Sequence, residues 1–176
     1  MANIPRILVV DDDAVMTHLI SFMLQKRGYN IVRKIESGEE AALKSADLNP
    51  DLVIMDIKLS GDLDGIAAAY YIFQLFRFPI IFITGTDDEK LLDPAKYSQP
   101  YGIIFKPFSD IELAPNVNLA LYNHQIRKPG LGNYPAGNPE RLWRCTKGSY
   151  SLTPEEGSSS STSTPASSSV SRKRRS

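Results

Sequence analysis

Cysteine is nearly absent from these 176 residues: Cys145 stands alone, so no disulfide can form within the chain. No apolar stretch approaches the roughly 20 residues that a membrane-spanning helix needs. The first residues, Met1-Ala2-Asn3-Ile4-Pro5, lack the basic and apolar regions of a secretory leader. Histidine is scarce as well. His18 has no cysteine or carboxylate at metal-ligand spacing, and both it and His124 read as surface or boundary residues. Formal charge is zero, yet residues 1–128 hold 13 Lys/Arg against 17 Asp/Glu, while 129–176 hold 7 against 3. An acidic region at −4 is thus joined to a basic one at +4, which argues against nucleic acid as the main partner. Together these features point to a soluble protein of the cytoplasm with no membrane association.

What is present is a set of short apolar runs, each ending in chemistry. Arg6-Ile7-Leu8-Val9-Val10 runs into Asp11-Asp12-Asp13, Asp51-Leu52-Val53-Ile54-Met55 into Asp56, and Tyr101-Gly102-Ile103-Ile104-Phe105 into Lys106-Pro107. Runs of this length separated by helical patterns read as parallel strands, and open parallel sheets carry their active groups just past the strand carboxyl ends.

Between the strands the helix signals are regular. Asp13 is placed to cap a helix over about 14–27, on which Val15, Leu19, Phe22 and Met23 fall on one face. Asn30–Ile35 is a more polar strand, nearer an edge. Ser37 and Glu40 form a capping-box pattern for a helix over 38–47. The run 51–55 does not alternate, as expected of a central parallel strand buried on both faces. A helix over 66–76 and a strand over 79–83, ending at Thr84-Gly85, come next. Pro94 must shorten or bend the helix expected around 88–97. The strand 101–105 is followed by a last helix opened by Ser109-x-x-Glu112. It runs to about Arg127, with Leu113, Val117, Ala120, Leu121 and His124 along one stripe.

These elements predict an α/β fold: a flavodoxin-like (βα)5 doubly wound parallel sheet, order 2-1-3-4-5, over residues 4–127. Residues 128–176 are Gly/Pro/Asn-rich and then Ser/Thr/Pro low complexity, a composition expected to remain a disordered tail. Arg172-Lys173-Arg174-Arg175 reads as a solvated charge run rather than a nuclear signal, and Trp143 and Cys145 fall in the same segment.

Asp11, Asp12 and Asp56 would bring three carboxylates within a few ångströms, which is costly unless a cation or a proton neutralises them. Hard oxygen donors of this kind suit Mg²⁺ completed by phosphate oxygens. An aspartate can itself be the nucleophile for a phosphoryl group, giving an acyl phosphate. Lys106 supplies a compact cation and Thr84 a hydroxyl for the phosphoryl oxygens. Alone, the aspartate cluster would read as a solvated cap, Thr84 as a turn residue and Tyr101 as a core aromatic. Their joint placement at strand ends favours a site.

The set Asp11-Asp12, Asp56, Thr84-Gly85, Tyr101 and Lys106-Pro107-Phe108 resembles the receiver domain of two-component response regulators, over about residues 4–127. The resemblance implies a signalling switch rather than an enzyme acting on other molecules. Asp56 would be the phosphoacceptor served by a sensor histidine kinase. Mg²⁺ would be held by Asp12 directly, by Asp11 largely through water, by Asp56 and by the backbone carbonyl of Lys58. Lys106 would contact the phosphoryl group, and Thr84 and Tyr101 would form the switch pair. The output would pass to an unknown downstream protein, with a homodimer formed on phosphorylation. Leu59-Ser60 replaces the usual Met-Pro, and the loop to Asp64-Gly65 is one residue longer than in single-domain chemotaxis receivers. Pro94 and Pro115 fall in the two helices that form the output face of most receivers.

Two other readings stand beside it. Asp11-x-Asp13 matches the spacing of a haloacid-dehalogenase-type aspartyl-phosphate hydrolase, though a cap domain is missing. A pseudo-receiver that binds partners without being phosphorylated is the other, which the intact acidic set and Lys106 oppose.

Overall fold

A computed structural model of the chain describes residues 4–85 and 92–127, together with 145–146 and 149–150. The elements alternate: β1 (Arg6–Val10), α1 (Ala14–Lys26), β2 (Asn30–Ile35), α2 (Gly38–Leu48), β3 (Leu52–Asp56), α3 (Gly65–Phe76), β4 (Ile80–Gly85), α4 (Leu92–Ala95), β5 (Gly102–Lys106) and α5 (Asp110–Arg127). A 3₁₀ turn, Lys96–Ser98, continues α4. The strands form one parallel sheet in the order β2-β1-β3-β4-β5, the flavodoxin-like arrangement. β3, β4 and β5 begin one residue later than the apolar runs suggest, because Asp51, Pro79 and Tyr101 serve as lead-in residues. Among the described residues no helix is long and apolar enough to cross a membrane.

Every residue of β3 is buried, as its unbroken apolar run requires of the sheet centre. Side chains alternate between two cores. Leu8, Val10, Val53, Met55 and Phe82 pack with Ala68, Ala69 and Ile72 of α3 and Ala41 of α2. Ile7, Val9, Ile54, Ile81 and Ile83 pack with Ile20 and Leu24 of α1 and Leu113, Val117 and Ala120 of α5. Each fully buried aliphatic side chain stabilises the fold by about 1.5–3 kcal/mol relative to exposure, so both layers hold firmly to the sheet.

The face of α1 differs from expectation. Val15, Leu19 and Phe22 point outward, and the helix packs through Thr17, Ile20, Ser21 and Leu24, with Met23 only partly buried. The two buried hydroxyls donate to their own helix, Thr17 Oγ1 to the Ala14 carbonyl at 3.0 Å and Ser21 Oγ to the Thr17 carbonyl at 2.6 Å. A small hydroxyl satisfied this way sits in a core at little cost.

The stripe expected on α5 is present, with Leu113, Val117, Ala120 and Leu121 buried and His124 at its margin. The helix runs unbroken past Pro115, whose ring lies on the exposed side. Pro94 falls within an α4 of four residues, and the expected start of that helix at residue 88 lies outside the described residues. Most of 128–176, including Trp143 and the basic run 172–175, also lies outside them. Within it, Cys145–Thr146 and Ser149–Tyr150 pair as two short antiparallel strands.

Candidate functional site

The parallel register brings four strand ends to one edge. Val10 pairs with Met55, Asp56 with Ile83, and Gly85 with Lys106. Asp11 and Asp12 therefore leave β1 beside Asp56 at the end of β3, with Lys106 arriving from β5. Carboxylate oxygens of Asp11, Asp12 and Asp56 lie within 4.8 Å of one another.

Each carboxylate is held differently. Asp11 is 1% exposed; its Oδ1 accepts from the Asp13 amide at 2.9 Å and its Oδ2 from Lys106 Nζ at 2.9 Å. Asp56 is 7% exposed; its Oδ1 accepts from the Lys58 amide at 3.1 Å and its Oδ2 from Lys106 Nζ at 2.6 Å. Lys106 thus bridges the two buried aspartates. Asp12 is exposed, and its Oδ2 accepts from the Ser60 amide at 3.1 Å and the Ser60 hydroxyl at 2.5 Å.

Burial pushes the Asp11 carboxyl above its usual range, against the pull of Lys106 and the Asp13 amide. Burial also pulls the Lys106 ammonium down, but its bonds to Asp56 and Asp11 outweigh that and leave it above the ordinary lysine value. The ion pair by itself would lower the acid. The near-complete burial of Asp11 accounts for the opposite outcome: desolvation outweighs the ion pair at the acid, while Lys106 stays charged.

Asp13 stands apart from the cluster. Its Oδ1 accepts from the amides of Val15 at 2.8 Å and Met16 at 3.4 Å, capping α1. Thr84 is fully buried at the end of β4, its hydroxyl 3.5 Å from the Gly85 carbonyl, one residue beyond the partner of Asp56. Thr84 and Tyr101, expected as the switch pair, are not neighbours in this structure. The Tyr101 amide donates to Ile80, at the other end of β4. Its hydroxyl is 3.2 Å from His124 Nδ1 and its ring packs edge-on to that imidazole in the α1/α5 core. Four residues of strand, about 13 Å, separate the two positions, and the alternation of β4 turns Thr84 to the opposite face. Phe105 is the residue paired with Thr84.

Two residues without an expected role shape the site. Ser60 holds Asp12, and Glu39 at the start of α2 accepts the amides of Asp62 at 2.9 Å and Leu63 at 2.7 Å, pinning the β3–α3 loop. Replacement of the usual Pro by Ser60 was the visible signal for the first. Nothing in the sequence pointed to the second. Gly65 closes the loop where a Cβ would fall 1.7 Å from the Asp56 carbonyl oxygen, so α3 begins directly against the strand that carries Asp56.

The donor set is three carboxylates converging from two strand ends, and Asp12 Oδ1 takes no hydrogen bond from a described residue. Such hard oxygens beside the Lys106 ammonium fit a divalent cation that prefers oxygen, and the ammonium fits an anionic group arriving at Asp56.

The response regulator receiver domain model matches residues 7–118. The transcriptional regulatory protein PdtaR of Mycobacterium tuberculosis is 35% identical over 121 residues, covering 68% of this chain and 58% of that protein. The chain therefore spans less than two thirds of that relative's length. The chemotaxis protein CheY of Bacillus subtilis is 33% identical over 117 residues, covering 66% of this chain and 97% of CheY. Among solved structures, the signal receiver domain of a modulated diguanylate cyclase from Desulfovibrio desulfuricans G20 superposes with a TM-score of 0.69. It is 30% identical, over 72% of this chain and all of that one.

Proposed function

Because the chain belongs to the response regulator receiver family of two-component signalling, we propose that Asp56 is its phosphoacceptor and Asp11, Asp12 and Asp56 its Mg²⁺ site. The observation that carries this reading is Lys106, whose ammonium spans Asp11 and Asp56 at 2.9 and 2.6 Å. A cation already seated on the acceptor carboxylate is positioned to move onto the oxygens of an incoming phosphoryl group. In the transfer, an Asp56 oxygen forms a bond to phosphorus as the bond from phosphorus to a histidine nitrogen of the sensor kinase breaks. The nitrogen keeps the electron pair. Asp12, Asp56, the Lys58 carbonyl and Asp11 would hold Mg²⁺, which when bound would supply charge neutralisation for the phosphoryl oxygens. Thr84 donates its hydroxyl to the phosphorylated state.

The receiver unit is residues 4–127, working in the cytoplasm, and 128–176 is an appendage outside it. The switch partner of Thr84 is not drawn from Tyr101 in the arrangement described. The output goes to a downstream protein and to a second copy of this chain. Ile111, Leu119, Tyr122 and Ile126 form an exposed apolar stripe on α5. Asn118, Asn123 and Gln125, which flank its C-terminal part, carry no charge to repel an identical helix, and the exposed Glu112 borders only its start. The hydrolase alternative is disfavoured by Asp13, which is committed to the α1 cap. The pseudo-receiver alternative is disfavoured by the assembled cluster.

Acetyl phosphate with Mg²⁺ should label the full chain once, as read by intact mass. Asp56→Asn and omission of Mg²⁺ should each abolish labelling. Labelling of Asp56→Asn at the wild-type rate would overturn the assignment.

A further inference from the structure

Three of the four groups at the site are fixed by one another. Asp11, Asp56 and Lys106 hold one another, and the amides of Asp13 and Lys58 take the remaining Oδ1 atoms. Asp12 is the exception. It is exposed, and a solvated aspartate is free to turn among its staggered rotamers. What fixes it is Ser60, 48 residues away, which donates both its amide and its hydroxyl to Asp12 Oδ2.

Ser60 can do this because its own loop is anchored. One residue on, Gly61 adopts φ +129°, a conformation that L side chains rarely take, and a Cβ there would meet the Glu39 carboxylate at 3.0–3.2 Å. The next two amides then land on Glu39 Oε1. With the Ser60 bonds made, Asp12 already offers an oxygen within 4.8 Å of those of Asp11 and Asp56. Oδ2 is the engaged atom, which leaves Oδ1 for a cation.

We propose that Ser60 is a positioning residue for the divalent-cation site, holding Asp12 through two donors to Oδ2 so that its carboxylate stays with those of Asp11 and Asp56. The inference rests on the reading of Asp12 as a Mg²⁺ ligand. A proline at this position would provide neither donor, so chains with Pro here must orient the equivalent carboxylate by other means. Hydrogen-bonding partners behind a metal ligand are typically worth 10- to 100-fold in metal affinity. Ser60→Ala keeps the amide donor, so its effect should lie at the lower end of that range.

The test is isothermal titration of the full-length protein with Mg²⁺. Ser60→Ala should bind about tenfold more weakly than wild type, Ser60→Thr should bind like wild type, and the metal-free melting temperatures of all three should agree. Unchanged or tighter binding by Ser60→Ala would overturn the proposal, as would a loss in Ser60→Thr equal to that in Ser60→Ala. Asp12→Asn separates the two levels. If it loses binding, the site reading holds and the Ser60 result stands on its own. If it binds Mg²⁺ like wild type, the site reading fails and the Ser60 role with it.

Discussion

Replacing Lys106 with methionine would remove the one ammonium that bridges Asp11 and Asp56 while keeping the length and apolar stem of the side chain. Both carboxylates would remain buried, at 1% and 7% exposure. Deleting one partner of a buried ion pair costs roughly 3–5 kcal/mol, because the other charge is left uncompensated. Lys106 keeps 24% of its side chain exposed, so water and proton uptake absorb part of this. A loss of about 2–3 kcal/mol is expected. For a domain of this size each kcal/mol moves Tm by about 4 °C, so Lys106→Met should melt about 10 °C below wild type in EDTA. A divalent cation can replace the missing charge, so saturating Mg²⁺ should raise the variant's Tm more than that of wild type.

The pH dependence has a definite sign. The Asp11 carboxyl is already raised in the folded state, so its ionisation opposes folding above that raised value, and the penalty fades as pH falls. Without Lys106 the carboxyl rises further, so the deficit of the variant should shrink between pH 7 and pH 5. Differential scanning calorimetry in EDTA and in Mg²⁺ at both pH values measures all three effects. The reasoning fails if Lys106→Met melts within about 2 °C of wild type in EDTA, or if Mg²⁺ shifts both proteins equally.

Asp13→Ala should cost about 1 kcal/mol by stripping the α1 cap, seen as a Tm lowered by a few degrees with Mg²⁺ affinity by titration unchanged. Glu39 is held below its ordinary value of 4.5, first by its own backbone amide and then by that of Leu63. Its clasp on the loop is therefore complete above pH 4.5 and lost as the pH falls through the lowered value. Hydrogen-exchange protection of the Asp62 and Leu63 amides should follow that titration and be absent in Glu39→Ala. Truncation after Arg127 should leave Tm and acetyl phosphate labelling unchanged, since every residue of the proposed site precedes it.

The sheet and its active edge could be read from the sequence because the signals were strong and local. Apolar runs end in Asp11-Asp12, Asp56 and Lys106, and a parallel sheet has one place to put them. The outward face of α1 was less legible. Val15, Leu19 and Phe22 outrank Thr17 and Ser21 on any hydrophobic count, yet the two hydroxyls satisfy themselves on helix carbonyls and go inside. Tyr101 was misplaced for a different reason. Order along the chain placed it near Lys106, but register sets it at the far end of the β4–β5 pair, on His124. Ser60 and Glu39 act across 48 and more than 20 residues respectively; the replacement of Pro marks Ser60 without showing what it holds, and nothing local marks Glu39.

The Glu39 clasp also bears on descent. The extra loop residue needs something to gather its amides, and Glu39 does so from a helix that Gly38 lets approach to where a Cβ would lie 2.2 Å from the Leu63 carbonyl oxygen. A lineage that shortened the loop would leave this carboxylate with nothing to hold, and one that lost the carboxylate would leave the longer loop untied. Loop length, the acid at 39 and the glycine at 38 should therefore be inherited as one unit, gained and lost together among relatives.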